Sequence, residues 1–163
     1  MTPWPGAVDA YRLFHQGTLE LARCEEAGIR MDTEYLTRTI QRTRQRISRL
    51  EDKLRGAKEW KTWKEVYGAK SNIGSDVQLG KVLFEHMEVP YPGGDENKTA
   101  TGRYKCDEEI LSSVNLTFAK SYVRNKKLKR LEGTYLRGLQ REVVDGFVHP
   151  VFNLHLVDST RSS

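Results

Sequence analysis

Leu36, Ile40, Thr43, Ile47, Leu50, Leu54 and Ala57 alternate steps of four and three residues. Apolar groups at that spacing over three heptads commit the segment to a long helix with a single seam that must be covered. Asp32 supplies an N-cap just ahead of it, and Met31 and Leu36 are spaced as a hydrophobic staple. Off the seam stand Arg38, Arg42, Arg44, Arg46, Arg49, Lys53, Arg55 and Lys58. The expected cover is a second long helix of the same chain, beginning near Phe118. A coiled-coil dimer is the competing solution, weakened by the shortness of the seam and by Thr43 within it.

That second helix, Phe118 to Glu142, is itself unusual. Between Lys120 and Arg141 it carries eight Lys or Arg and one acid, Glu132, a balance of +7 against +5 for the whole chain. Phe118, Tyr122, Leu128, Leu131, Tyr135 and Leu139 recur at near-helical spacing, so one face can still pack. A solvated charged face is the plain reading of such a run. The acids that normally alternate with the bases are missing, however, and a surface facing phosphate is the better expectation.

Composition narrows the class without choosing within it. With 163 residues the chain can build one core, or one elongated domain with an appendage. A pI near 9.2 favours nucleic acid, although an acidic membrane surface would also satisfy it. No apolar run approaches the ~20 residues that span a bilayer, and the start Met1-Thr-Pro-Trp-Pro-Gly6 is no secretory signal. Cys24 and Cys106 form no metal or disulfide pattern, in keeping with a reduced, cytoplasmic protein and no membrane partner.

The remaining segments are shorter. Ala7, Tyr11, Phe14, Thr18, Leu21 and Ala22 line one face of a first helix ending at Gly28. Trp60, Trp63 and Tyr67 are interleaved with lysines; they can stack on unpaired bases, but capping the end of a core is the commoner use. Ser75 and Gln78 have the spacing of a capping box for a helix burying Leu79, Val82, Leu83 and Met87. Residues 89–105 form a long loop rich in Pro and Gly, and Asp107 caps a helix carrying Ile110, Leu111 and Val114. After the Asp145-Gly146 turn signal, Phe147 to Val157 alternates as a half-buried strand with nothing obvious in the chain to pair with.

No catalytic machinery is visible. There is no Gly-rich phosphate loop, no HExxH, no GxSxG and no zinc spacing. His149 and His155 lie six apart on one strand face, which suits structural or nucleic-acid contacts better than chelation. The scattered acids form no pair suited to acid–base work or to divalent metals.

Six segments in order do resemble a known family. Glu26-Ala-Gly-Ile-Arg-Met-Asp-Thr-Glu-Tyr-Leu36 resembles the entry to the thumb of family A DNA polymerases, and Asn72-Ile-Gly-Ser-Asp-Val-Gln-Leu-Gly-Lys-Val-Leu-Phe84 resembles a following stretch of that thumb. Lys98-Thr-Ala-Thr-Gly-Arg103 with Ile110-Leu111 is similar to its thumb tip, and Leu128-Lys-Arg-Leu-Glu-Gly-Thr-Tyr135 to its basic helix. Gly146-Phe-Val-His-Pro-Val-Phe-Asn153 and Ser159-Thr-Arg-Ser-Ser163 resemble the first palm strand and the segment beside the polymerase site. Thr160 stands where the family has glycine, Ser162 where it has leucine and Glu132 where it has lysine, while the segment from Trp60 to Tyr67 has no counterpart.

The resemblance, with a phage-type member as one reading, implies a mainly α fold. It is an elongated helical hairpin with small helices at its tip and a C-terminal β-strand segment of an incomplete palm. Residues 1–31 would form the base helix, 32–142 the thumb and 143–163 the start of the palm. Carried over by position, Lys98, Thr99, Thr101, Arg103 and Lys105 would form the tip that meets DNA. Arg130 with Gly133 and Thr134 would hold duplex backbone, and Asn153 and Arg161 would lie near the primer terminus and its minor groove; Lys126 and Lys127 of the basic helix are expected to bind DNA as well. The implied partners are primer–template duplex DNA and the remaining palm and fingers, in the cytoplasm of a bacterial or phage-infected cell. No cofactor is expected in this chain; Mg2+ is expected in the complete polymerase, and the chain alone is expected to be inactive. A free-standing RNA- or DNA-binding module and a structural coiled-coil protein are the alternatives.

Overall fold

The computed structural model describes residues 6–152 and is mainly helical. The described residues divide into two compact units, 39–135 and 6–38 with 136–152.

The core of the first unit gathers short elements rather than long ones. The seam helix α2 (Thr33–Arg55) is followed by α3 (Lys58–Tyr67), by α4 (Asp76–Lys81) running into a π-helical turn (Val82–His86), by α5 (Glu108–Ser113) and by α6 (Thr117–Arg130). Leu54, Trp60, Trp63, Leu79, Val82, Leu83, Ile110, Leu111, Phe118 and Tyr122 form one buried cluster. Trp63 is its centre, wholly buried, with the indole Nε1 donating to Gln78 Oε1 at 2.8 Å. The two tryptophans are therefore core residues and offer no platform for bases. Local sequence explains the starts of these helices. Asp32 Oδ1 accepts from Tyr35 N at 2.8 Å, Ser75 Oγ from Gln78 N at 3.3 Å, and Asp107 Oδ1 from Ile110 N at 3.0 Å. The Gln78 side chain does not complete a capping box; it joins Trp63, Asn72 N and the Lys70 carbonyl instead.

The seam is realised on α2, where Leu36, Ile40, Thr43 and Leu54 are buried and Thr43 Oγ1 donates to Thr39 O. The expected single helix from Phe118 to Glu142 is corrected. α6 ends at Arg130, a π-helical segment (Leu131–Leu136) follows, and α7 (Arg137–Glu142) continues the run. The buried face of α6 runs through Phe118, Tyr122 and Asn125, and Glu132, seven residues further on, continues it. Leu131, Tyr135 and Leu139 are exposed, while the carboxylate-bearing Glu132 is largely covered at 12% side-chain exposure. At ~100° per residue Leu131 falls about 140° around the helix from Phe118 and Glu132 within about 40° of it, so the expected apolar face fails there on phase alone.

In the second unit, β1 (Ile29–Arg30), β3 (Phe147–Val148) and β2 (Val143–Val144) form an antiparallel sheet with β3 in the middle. The expectation that the C-terminal strand has no partner within the chain is thus overturned; Ile29 pairs with Val148 and Val144 with Phe147. The part of that segment from Asn153 onward lies outside the described residues. Asp145 and Gly146, at φ +49° and +84°, make the tight turn between β2 and β3. Gly28 sits at φ +66° and ψ 178°, a region open essentially to glycine alone, and a Cβ there would stand 2.8 Å from the His149 ring. His149 Nδ1 lies 2.7 Å from the Glu25 carbonyl, a structural contact. The expected apolar face of α1 (Ala7–Ala27) buries nothing among the described residues: Val8, Tyr11, Leu13, Phe14 and Leu19 are 50% to 70% exposed. No helix among the described residues is long and apolar enough to cross a membrane.

Burial has a consequence for alkaline stability. Burial, with help from the Asp76 carboxylate, pushes the Cys106 thiol up to about 12, and the same two causes raise the Tyr122 hydroxyl. Both groups are neutral when protonated, so folding favours the proton. Their contribution is complete below the unfolded thiol value and is lost as pH rises toward the folded one. The urea midpoint should hold near neutrality and fall between about pH 9 and pH 12, with a shallower fall in Tyr122→Phe. A midpoint flat across that window would contradict it. In the same experiment Cys24, which is exposed, should react with a thiol reagent before unfolding and Cys106 only after it.

Candidate nucleic-acid interface

The long Pro- and Gly-rich loop is built, not slack. Phe84, Tyr91 and Tyr104 pack edge-on or tilted with ring centroids 4.7 to 5.2 Å apart. The Tyr91 hydroxyl donates to Asn97 O at 3.0 Å and accepts from Lys105 N at 3.1 Å, tying the two ends of the loop together. Between them Thr99 closes a tight turn. Its N–H donates to Arg103 O at 2.8 Å, its carbonyl accepts from Gly102 N at 2.8 Å, and its Oγ1 accepts from Arg103 N at 3.0 Å while lying 3.0 Å from Thr101 Oγ1. Gly102 takes φ +72° to complete the turn. These bonds hold the backbone so that Thr101, Arg103 and Lys105 project into solvent, while Lys98 Nζ sits 4.7 Å over the Tyr104 ring.

The turn depends on a close approach beneath it. A Cβ on the buried Gly80 would lie 2.8 Å from Tyr104 Cβ and 3.2 Å from Cys106 Sγ. Gly80→Ala should therefore displace Tyr104, costing about 1–3 kcal/mol by overpacking. The checks are a urea titration and faster amide exchange across residues 98–105; unchanged exchange there would speak against the coupling.

α6 is tied to the neighbouring helices by ion pairs. Asp76 accepts from the Tyr122 hydroxyl at 3.0 Å and from Lys126 Nζ at 2.5 Å, Lys127 pairs with Glu108 at 2.5 Å, and Lys129 pairs with Glu51 at 2.5 Å. Arg44 of α2 pairs with Glu132 at 2.7 Å. The acids missing from the basic run in sequence are thus supplied by α2, α4 and α5 in space. Arg103, Lys105, Lys120, Arg124 and Arg130 form no ion pair among the described residues, and Arg130 lies 6.0 Å from the Tyr135 ring. An open groove of about 420 Å³ brings Thr99, Thr101, Arg103, Lys105 and Lys126 together. A smaller one of about 250 Å³ is lined by Lys126, Lys127 and Arg130 with Glu108.

Gly133 and Thr134 follow in the π-helical segment, both exposed. A Cβ on Gly133 would meet nothing within 4 Å, so no packing among the described residues requires glycine there. A glycine in a helical interior costs up to about 1 kcal/mol relative to alanine, and its natural use is to let another backbone approach. Asn153 and Arg161 lie outside the described residues. Among the described residues there is no group of three or more His, Cys, Asp or Glu side chains placed to hold a metal ion. What sequence reasoning missed was the aromatic triad beneath the turn, although Phe84, Tyr91 and Tyr104 beside so many loop residues were a usable signal.

The described residues thus combine a helical unit with a cationic turn and exposed Lys and Arg side chains. Residues 33–163 match the model of DNA polymerase family A, and the chain belongs to that family. It is 29% identical over 147 residues to DNA polymerase I of Geobacillus stearothermophilus, covering 88% of this chain and 15% of that protein. It is 31% identical over 136 residues to DNA polymerase I of Rhizobium leguminosarum, covering 80% and 11%. Among solved structures, the polymerase domain of Pol1 from M. smegmatis, in complex with DNA primer–template and dNTP, superposes with a TM-score of 0.59 at 30% identity. That match covers 88% of this chain and 24% of the other. The chain thus spans well under a quarter of the length of the curated relatives it matches.

Proposed function

We propose that this chain is the DNA-gripping thumb portion of a DNA-directed DNA polymerase, holding primer–template duplex through phosphate and minor-groove contacts during replication. The observation that carries the reading is the hydrogen-bonded turn from Thr99 to Arg103, which presents Thr101, Arg103 and Lys105 outward on a rigid base. It gains support from the M. smegmatis polymerase domain, which was solved on primer–template DNA. Contacts of this kind are made to backbone and shape, so binding is independent of base sequence and sensitive to salt. Arg130, Gly133 and Thr134 offer a second strip of contact, and the exposed apolar residues of α1 are where the remaining palm and fingers would pack. Chemistry, with its Mg2+, would belong to those other parts, in the cytoplasm of a bacterial or phage-infected cell.

The test is direct binding of a labelled primer–template by fluorescence anisotropy. The double substitution Arg103→Ala with Lys105→Ala should weaken binding about equally for unrelated base sequences and lower the salt slope by about 2. Unchanged affinity in that variant, with its helical signal intact, would overturn the assignment of the tip.

A further inference from the structure

The cations of α2 are sorted by what they face. On one flank Arg44 pairs with Glu132, and Glu51 pairs with both Lys129 and Arg55. At ~100° per residue, Arg42, Arg46 and Arg49 fall within about 60° of one another on a different flank, and the centre of that strip lies about a quarter-turn or more from the buried Ile40, Thr43 and Leu54. All three are exposed, and none forms an ion pair or hydrogen bond among the described residues. Packing does not explain them, because the seam is already closed without them.

We propose that Arg42, Arg46 and Arg49 form a further phosphate-binding track, for the backbone of double-stranded DNA, separate from the tip turn and from the strip at Arg130. Their spacing of four and three residues spreads three guanidinium forks over about 10 Å of helix axis. That suits a repeating polyanion rather than one isolated phosphate. All three are Arg, whose planar fork binds phosphate oxygens in pairs where Lys would act as a point charge. Residues 41–49 contain no aromatic side chain, and stacking platforms are what single-strand binders rely on. Duplex backbone is therefore the occupant the track fits. The track shares with the proposed function only the choice of DNA as the anion.

The experiment compares the full chain with Arg42→Gln/Arg46→Gln/Arg49→Gln, with the matching triple Lys variant, and with Arg103→Ala/Lys105→Ala, on blunt duplex and on single-stranded DNA. Gln and Lys are helix formers close to Arg, so circular dichroism and thermal midpoints should stay unchanged. The Gln variant should lower the slope of log affinity against log salt on duplex by about 3, and the Lys variant should restore most of it. An unaltered duplex slope in the Gln variant overturns the track, whatever the tip variant does. A loss confined to single strands, or to an acidic polypeptide probe such as polyglutamate, overturns it too. If the tip variant is silent while the Gln variant loses duplex binding, the track stands and the tip assignment falls.

Discussion

Replacing Trp63 with Ala should lower the unfolding free energy by about 3–5 kcal/mol, the range for removing a large buried aromatic side chain. Trp63 is fully buried and lies 5.4 Å, ring to ring, from Trp60. It also anchors Gln78, whose carbonyl oxygen accepts from both the indole and Asn72 N. Truncation would open a cavity and free one acceptor of a shared network, and these effects add. The loss should be read from urea midpoints, and it should take with it the protection of α4 and of the loop that α4 supports. Trp63→Phe keeps most of the volume and should cost clearly less. A Trp63→Ala chain as stable as the parent would mean that the core described here is wrong.

The second large effect is ionic. Arg103, Lys105, Lys120, Arg124 and Arg130 have no acid partner among the described residues, and each bound phosphate releases a counterion. With about six phosphate contacts, affinity for primer–template should fall about a thousandfold between roughly 50 and 200 mM salt. Lys126, Lys127 and Lys129 should contribute less than their charge suggests, since Asp76, Glu108 and Glu51 already hold them. Lys127→Ala should therefore change the slope less than Arg124→Ala does. Anisotropy titrations at several salt concentrations decide it; a curve flat in salt would be incompatible with a phosphate grip.

These two expectations depend on different layers of information. The three N-caps, the seam on α2, the Asp145-Gly146 turn and the six ordered segments of the family were legible residue by residue, because each rests on spacing within one short stretch. The candidate site was legible only in outline. Lys98 to Lys105 stood out as a cationic loop, but its shape depends on Tyr91, fourteen residues away from Lys105, bonding to the loop backbone. Helical extrapolation past Arg130 failed because Leu131 stands about 140° around the helix from Phe118, whereas Glu132 stands within about 40° of it.

Local periodicity and capping chemistry by themselves determined that this chain is helical and where most of its helices begin, while its resemblance to family A polymerases rested on six ordered sequence segments. Only the tertiary structure decided which charges are spent inside the fold and which face outward. Ion pairing requires proximity in space, and Asp76 and Lys126 are fifty residues apart in sequence. The same holds for the short strands, since hydrogen bonds between Ile29 and Val148 exist only once the chain has returned to its own beginning.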